Sequence, residues 1–228
     1  MTHVLFNLDS ADWPDEWEPL PAENVISGTP TGRTIELGEF RGGPIGIWQL
    51  SPSRAGGVGD EPELIVILGG DSTLHVGDEP GVDFSAGTVF RVDHGTRDDF
   101  EVRETLTEFY FYPSIGGANE GAVVSRVTDD LDPVTFFSQE QTGGAAISTS
   151  LLQSGSIEGV GYGFWEMGVG SAQWTSTDEI FIVHSGRGVL HVAEGEDIEL
   201  QPGTIVRVTE GDQCRWQITE TLRKVWIG

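Results

Sequence analysis

Apolar and polar positions alternate along this chain in short runs, and the runs come in two matching sets. The stretch ELIVILGGDSTLHVGDEPGVDFSAGTVFRV, Glu63 to Val92, is matched 116 residues later by EIFIVHSGRGVLHVAEGEDIELQPGTIVRV, Glu179 to Val208. The register holds without a gap as far as Glu104-Thr105-Leu106 against Glu220-Thr221-Leu222. Runs of β-branched and aromatic residues with a period of two, punctuated by Gly, Pro and Asp, predict strands and turns, and no long segment carries a helical period. Repetition at this length predicts a duplicated domain rather than a solenoid of short repeats. The expected fold class is therefore all-β, with one antiparallel unit present twice.

Around the repeats the chain supplies matching approach and closing strands. NVISG, RTIELGEF and GIWQLSP lead into the first copy, while GYGFWEMGVG leads into the second, with Trp48 and Trp165 matching after a one-residue slip. FEVRETLTEFYFYP closes the first copy and WQITETLRKVWIG the second. Before the first copy, Met1 to Pro21 is rich in proline and acid and reads as an extended arm whose Trp13 and Trp17 pack onto a barrel. The glycine-rich stretch Ser114 to Ala122 is the expected linker. The expected domains are thus 1–115, arm plus first barrel, and 116–228, second barrel. Antiparallel strands must hide their edges, which a unit of about 100 residues does best as a closed barrel or jelly roll.

Charge narrows the partners. Twelve Lys and Arg stand against 37 Asp and Glu, a formal net charge of −25, which repels phosphate backbones and anionic lipid. Nucleic acid and membrane surfaces are excluded as expected partners. The single cysteine, Cys214, rules out an internal disulfide and fits a reducing cytoplasm. No segment approaches the roughly 20 apolar residues of a membrane helix. The expectation is a soluble cytoplasmic protein, monomer or homodimer.

Spacing adds a family resemblance. Glutamate followed seven residues later by glycine, Glu63 to Gly70 and Glu179 to Gly186, resembles the second half of the first cupin motif. Gln201-Pro202-Gly203-Thr204 through Gly211, and Ser85-Ala86-Gly87-Thr88 through Gly95, resemble the second motif. Gly163-Phe164-Trp165, Asp178-Glu179, Pro202-Gly203, Trp216 and Glu220 to Lys224 are most similar to the ureidoglycine aminohydrolase-like cupins. The resemblance covers both halves and implies two tandem cupin barrels, each a double-stranded β-helix of jelly-roll type. For activity such motifs are weak, because one barrel hosts many chemistries.

The resemblance also implies a metal held by two histidines and a glutamate of the first motif and a histidine of the second. In the second copy those positions carry Gln173, Thr175, Glu179 and Cys214, and in the first Gly57, Gly59, Glu63 and Asp98. No histidine stands at any of them. One carboxylate, one thiol and two neutral oxygens are a mismatched set for Mn, Fe, Ni or Zn, so no cofactor is expected.

Without a metal, Glu179 needs another partner. Arg207, and its first-barrel equivalent Arg91, either supply that cation or are exposed strand residues. Cys214 is either a nucleophile with a lowered pKa or inert packing. His75 and His191, inside the matching Leu-His-Val triplets, face away from the flanking apolar residues and are expected to be exposed or hydrogen-bonded. Trp174, Trp216 and Phe181 either wall a small-molecule pocket or fill the core. The reading carried forward is a metal-free binding protein for a small polar organic molecule. Its pocket is in the second barrel, formed by Gln173, Trp174, Thr175, Glu179, Phe181, Arg207, Cys214 and Trp216, and Glu63, Asp98 and Arg91 are the equivalents in a supporting first barrel. The alternatives are a cupin hydrolase or isomerase using Glu179 as base, and a purely structural or protein-interaction module.

Overall fold

The computed structural model describes residues 1–59, 61–77, 80–113, 123–126 and 149–228. The linker expected at Ser114–Ala122 lies outside them, as does the chain from 127 to 148. Strands dominate: β1 (His3–Asn7), β2 (Glu18–Pro19), β3 (Val25–Ser27), β4 (Thr31–Phe40), β5 (Gly43–Leu50), β6 (Ser53–Val58), β7 (Glu63–Gly69), β8 (Ser72–Val76), β9 (Val82–Phe84), β10 (Thr88–Val92), β11 (Arg97–Val102) and β12 (Leu106–Phe111). They continue as β13 (Val123–Arg126), β14 (Thr149–Ile157), β15 (Val160–Met167), β16 (Gly170–Thr175), β17 (Glu179–Val192), β18 (Ile198–Leu200), β19 (Thr204–Val208) and β20 (Gln213–Ile227). Only two short 3₁₀ turns, Leu8–Ser10 and Ala22–Asn24, interrupt them among the described residues. No described helix is long and apolar enough to cross a membrane.

The strands build two compact units. One is Asp12–Arg126 with the turn Ile157–Gly159; the described part of the other is Met1–Ala11, 149–156 and Val160–Gly228. The first barrel has sheets ordered β13-β10-β7-β12-β5-β4-β2 and β3-β6-β11-β8-β9. In the second, β1-β19-β17-β20-β15-β14 run side by side, with β16 on β20 and β18 on β17. The second barrel keeps β17 and β20 continuous where the first breaks each into two, β7 with β8 and β11 with β12. The duplicated all-β fold is thus present, with the strands of the two repeats in the same order.

This division differs from a split at residue 115 at the outermost strand. In the first barrel β13 pairs with β10, Thr88 opposite Arg126 and Phe90 opposite Val124. In the second that place is taken by β1, with His3 opposite Arg207 and Val4 opposite Val206. The N-terminal arm is therefore a strand of the second barrel. It covers an otherwise open sheet edge, and Thr2 donates from its amide and its hydroxyl to Asp212 Oδ2 at 2.7 and 2.8 Å. From Asp12 the arm joins the first barrel, where Trp13 and Trp17 pack on the guanidinium of Arg33 at 4.9 and 4.5 Å.

Each barrel has its own core. The first buries Leu50, Ile65, Ile67, Leu74, Phe84, Phe90 and Phe100, the three phenylalanines packing edge to face with centroids 4.9–6.5 Å apart. The second places Leu200, Val206 and Trp216 at the corresponding positions. Burying each such side chain contributes about 1.5–3 kcal/mol. The glycine that follows each motif glutamate has a steric cause: Gly70 and Gly186 have φ of +104° and +87°. A Cβ at Gly70 would lie 2.9 Å from Leu106 Cα, and one at Gly186 2.7 Å from Leu222 Cα. Only glycine tolerates both the left-handed backbone and the close approach of the closing strand.

Candidate functional site

The second barrel satisfies its own charge. Lys224, on β20 beside β17, has a side chain only 6% exposed, and its ammonium donates to Glu179 Oε1. The same ammonium lies over the rings of Phe181, Trp165 and Trp216, at 4.4, 4.9 and 5.0 Å. Trp174 stacks on Trp216 with centroids 5.4 Å apart. Buried ion pairing and aromatic faces together accommodate this cation. What remains is a cavity of about 270 Å³, lined by Trp165, Trp174, Thr175, Glu179, Trp216 and Lys224 among others.

Several second-barrel expectations change accordingly. The partner of Glu179 is Lys224, not Arg207, whose guanidinium donates to Asp178 at 2.9 and 3.0 Å; Arg207 opposes Ile180 rather than Glu179 across the β17–β19 pair. Trp174, Thr175, Glu179 and Trp216 come together at the cavity. Gln173 is exposed and outside the lining. Phe181 packs beneath Trp216 in the core. Cys214 is fully buried in that core, and burial pushes its thiol pKa up. A raised thiol pKa makes a poor nucleophile, so Cys214 is packing. His75 and His191 are hydrogen-bonded, to Glu101 at 3.4 Å and to Asp197 at 2.7 Å.

The larger cavity, about 550 Å³, lies in the first barrel, which the sequence assigned a supporting role. Glu63 at the start of β7, Asp98 on β11 and Glu108 on β12 line it, with Trp48, Phe100, Tyr110 and Tyr112. Burial pushes the Glu63 carboxyl up to about 7, a hydrogen bond from Tyr112 opposes this, and Asp98 adds to it. Burial also pushes Asp98 up to about 6, opposed by a backbone hydrogen bond and reinforced by Asp99. Glu108, 3% exposed, is held well above the usual carboxylate range by burial first and then by Glu63 and Asp98. Its Oε2 is buried without a hydrogen-bond partner. Arg91 stands outside this lining, paired with Asp93 at 3.1 Å.

Strand register explains the size difference. Across β6 and β11, Gly57 opposes Asp98, and across β16 and β20, Trp174 opposes Cys214. By register Gly57 therefore matches Trp174, one residue on from the Gln173 that the sequence count assigns to it, and Trp174 fills in the second barrel a place that has no side chain in the first. Across β5 and β12, Trp48 opposes Glu108, and across β15 and β20, Trp165 opposes Lys224. Glu108 and Lys224 are therefore equivalent, one acidic and one basic, and neither stood among the expected site residues. The available signal was a charged residue inside each closing run, LTEFYF and LRKVWI.

The donor sets do not suit the metal that the resemblance implies. In the second barrel an ammonium already holds Glu179, and the remaining positions carry a protonated thiol, a hydroxyl and an exposed amide. In the first, the positions counted back from Glu63 are Gly57 and Gly59, and the register places Gly56 and Val58 opposite the same stretch. None of these carries a donor side chain, and no imidazole is among the described residues lining the cavity. Among the described residues, no three His, Cys, Asp or Glu side chains converge as a metal site requires.

Comparison with known proteins agrees with the barrel geometry. The EutQ-like cupin domain matches over residues 37–110 and again over 157–226. No curated protein matches the chain in sequence. A protein of unknown function from Pseudomonas syringae pv. tomato str. DC3000, of the DUF861 family, superposes with a TM-score of 0.70 at 18% identity, covering 100% of this chain and 98% of that one. The putative glyoxylate-induced protein of Pseudomonas aeruginosa gives 0.62 at 12% identity, covering 93% and 82%. A variant of the oxalate decarboxylase OxdC of Bacillus subtilis gives 0.55 at 12%, covering 100% and 76%. At these identities the likeness is one of fold. With strand order, duplicated core and two domain matches in agreement, this chain belongs to the EutQ-like cupin family and carries the cupin domain twice.

Proposed function

We propose that this bicupin is a metal-free binding protein for a small polar organic molecule and that its site is the first barrel. The observation that carries this reading is the 550 Å³ cavity with a buried, unpartnered carboxyl oxygen, Glu108 Oε2, in its wall. Pockets for small molecules combine apolar walls with a few polar groups that have no partner until the ligand arrives. The second barrel has half that space, and its Glu179 is already paired. This moves the site from the second barrel, where the sequence pointed, to the first.

Titrating the purified full chain with a metabolite set while following its melting temperature tests the proposal. A ligand at 100 times its Kd adds about 2.7 kcal/mol. Gly57→Trp, which places in the first barrel the ring that Trp174 supplies in the second, should abolish that response while circular dichroism stays unchanged. A set in which nothing raises the melting temperature, or a response that survives Gly57→Trp, counts against the site.

A hydrolase or isomerase using Glu179 as base has less support, because Lys224 engages that carboxylate. An acid–base role suits Glu63 better, since its carboxyl titrates near neutrality. Turnover of any substrate that persisted undiminished in Glu63→Gln would remove that alternative.

A further inference from the structure

The two barrels treat one pair of equivalent positions in opposite ways. In the second, Glu179 meets an ammonium carried by the chain itself, Lys224, within the rings of Trp165, Phe181 and Trp216. In the first, Glu63 stands where Glu179 does, but Glu108 replaces Lys224 and Asp98 adds a third carboxyl. None of the described residues lining that cavity is Lys, Arg or His. Acidic groups alone do not make a site, but Glu108 is 3% exposed and its Oε2 has no hydrogen-bond partner. A buried carboxyl group left so is costly and calls for a donor.

The rest of the wall says what kind of donor. Trp48 opposes Glu108 as Trp165 opposes Lys224, and Phe100 occupies the place of Trp216, so two of the three rings around Lys224 have aromatic counterparts where there is no internal ammonium, while Ile65 stands at the place of Phe181. Aromatic faces beside carboxylates favour a cation that has an apolar body. Gly57, where the second barrel has Trp174, leaves the room such a body needs. Resting on the reading that the first cavity binds a small organic molecule, we infer that its ligand is an organic cation, an alkyl- or arylalkyl-ammonium whose nitrogen lies between Glu63 and Glu108. It takes the part that Lys224 plays for Glu179. A bare divalent ion fits less well, because the carboxyls do not converge as metal ligands and aromatic walls replace no hydration shell.

The test uses the full chain at mildly alkaline pH and four probes of one shape, benzylamine, benzyltrimethylammonium, benzyl alcohol and benzoate, with Mn²⁺ and Zn²⁺ alone as further arms. Isothermal titration should show benzylamine binding more than about tenfold tighter than benzyl alcohol, a difference of about 1.4 kcal/mol, and tighter than benzyltrimethylammonium, which has the charge but no N–H to donate, with benzoate silent. Glu108→Lys, which builds the second barrel's internal ammonium into the first, should abolish amine binding. Glu108→Gln, nearly identical in shape, should weaken amine binding about tenfold or more and serves if the lysine variant does not fold. Equal binding of alcohol and amine, lost in Gly57→Trp, would leave the pocket standing and overturn the cation. A response to the metals alone, or amine binding undiminished in Glu108→Gln, would also overturn it. No binding by any probe or metabolite would remove the pocket reading, and this inference with it.

Discussion

Replacing Lys224 by methionine removes the ammonium and leaves the Glu179 carboxylate among tryptophans. Breaking a buried pair from one side costs about 3 kcal/mol or more, whereas removing both charges together costs far less. Urea unfolding should therefore show Lys224→Met destabilised by about 3 kcal/mol and the double variant Glu179→Gln/Lys224→Met recovering most of that loss. The first barrel responds to pH instead. The Glu63 carboxyl ionises at 4.5 ordinarily and at about 7 in the fold, so between those values the folded state binds more protons than the unfolded. Stability must fall as pH rises through that window, with Asp98, raised to about 6, acting in the same direction. Melting temperatures of Glu63→Gln should lack much of this decline. At this scale the sequence exposed the motif glutamates through their spacing from Gly70 and Gly186. It hid Glu108 and Lys224, because their roles depend on which strand lies beside them.

The N-terminal strand shows the same division one level up. Proline and acid content mark Met1 to Pro21 as an extended arm, but nothing local says that the partner of β1 is β19, some 200 residues away. Phe6 is buried at 7% exposure, and Phe6→Ala should cost about 3 kcal/mol, read as a lower urea midpoint of the second barrel. Deleting residues 2–11 should do more, by opening the β19 edge and leaving Asp212 without Thr2. Hydrogen bonds from Thr2 hold the Asp212 carboxyl below its ordinary 3.8. Its contribution is thus present above that value and lost as pH falls through the lowered one. The stability gap between the full chain and the deletion should narrow, by the share that Asp212 contributes, as acid is added through that range. The breaks that separate β7 from β8 and β11 from β12 were likewise legible only as turns, whereas β17 and β20 run on through equivalent stretches.

For the molecule as a whole, a net charge of −25 means self-repulsion that salt screens. Raising NaCl from about 10 to about 150 mM shortens the Debye length from roughly 30 to 8 Å and should raise the melting temperature; a flat response would show the charges already compensated. Sequence by itself determined the duplication, the all-β class and the cupin barrel, because period-two alternation, turn glycines and motif spacing are local properties repeated twice. Tertiary structure alone decided which barrel is open. That outcome depends on Gly57 against Trp174 and Glu108 against Lys224, pairs whose meaning lies in the space and charge between strands distant in the chain. An acid and an ammonium at one repeat position look like surface variation in sequence. In the fold they separate a cavity that fills its own need for a cation from one that does not.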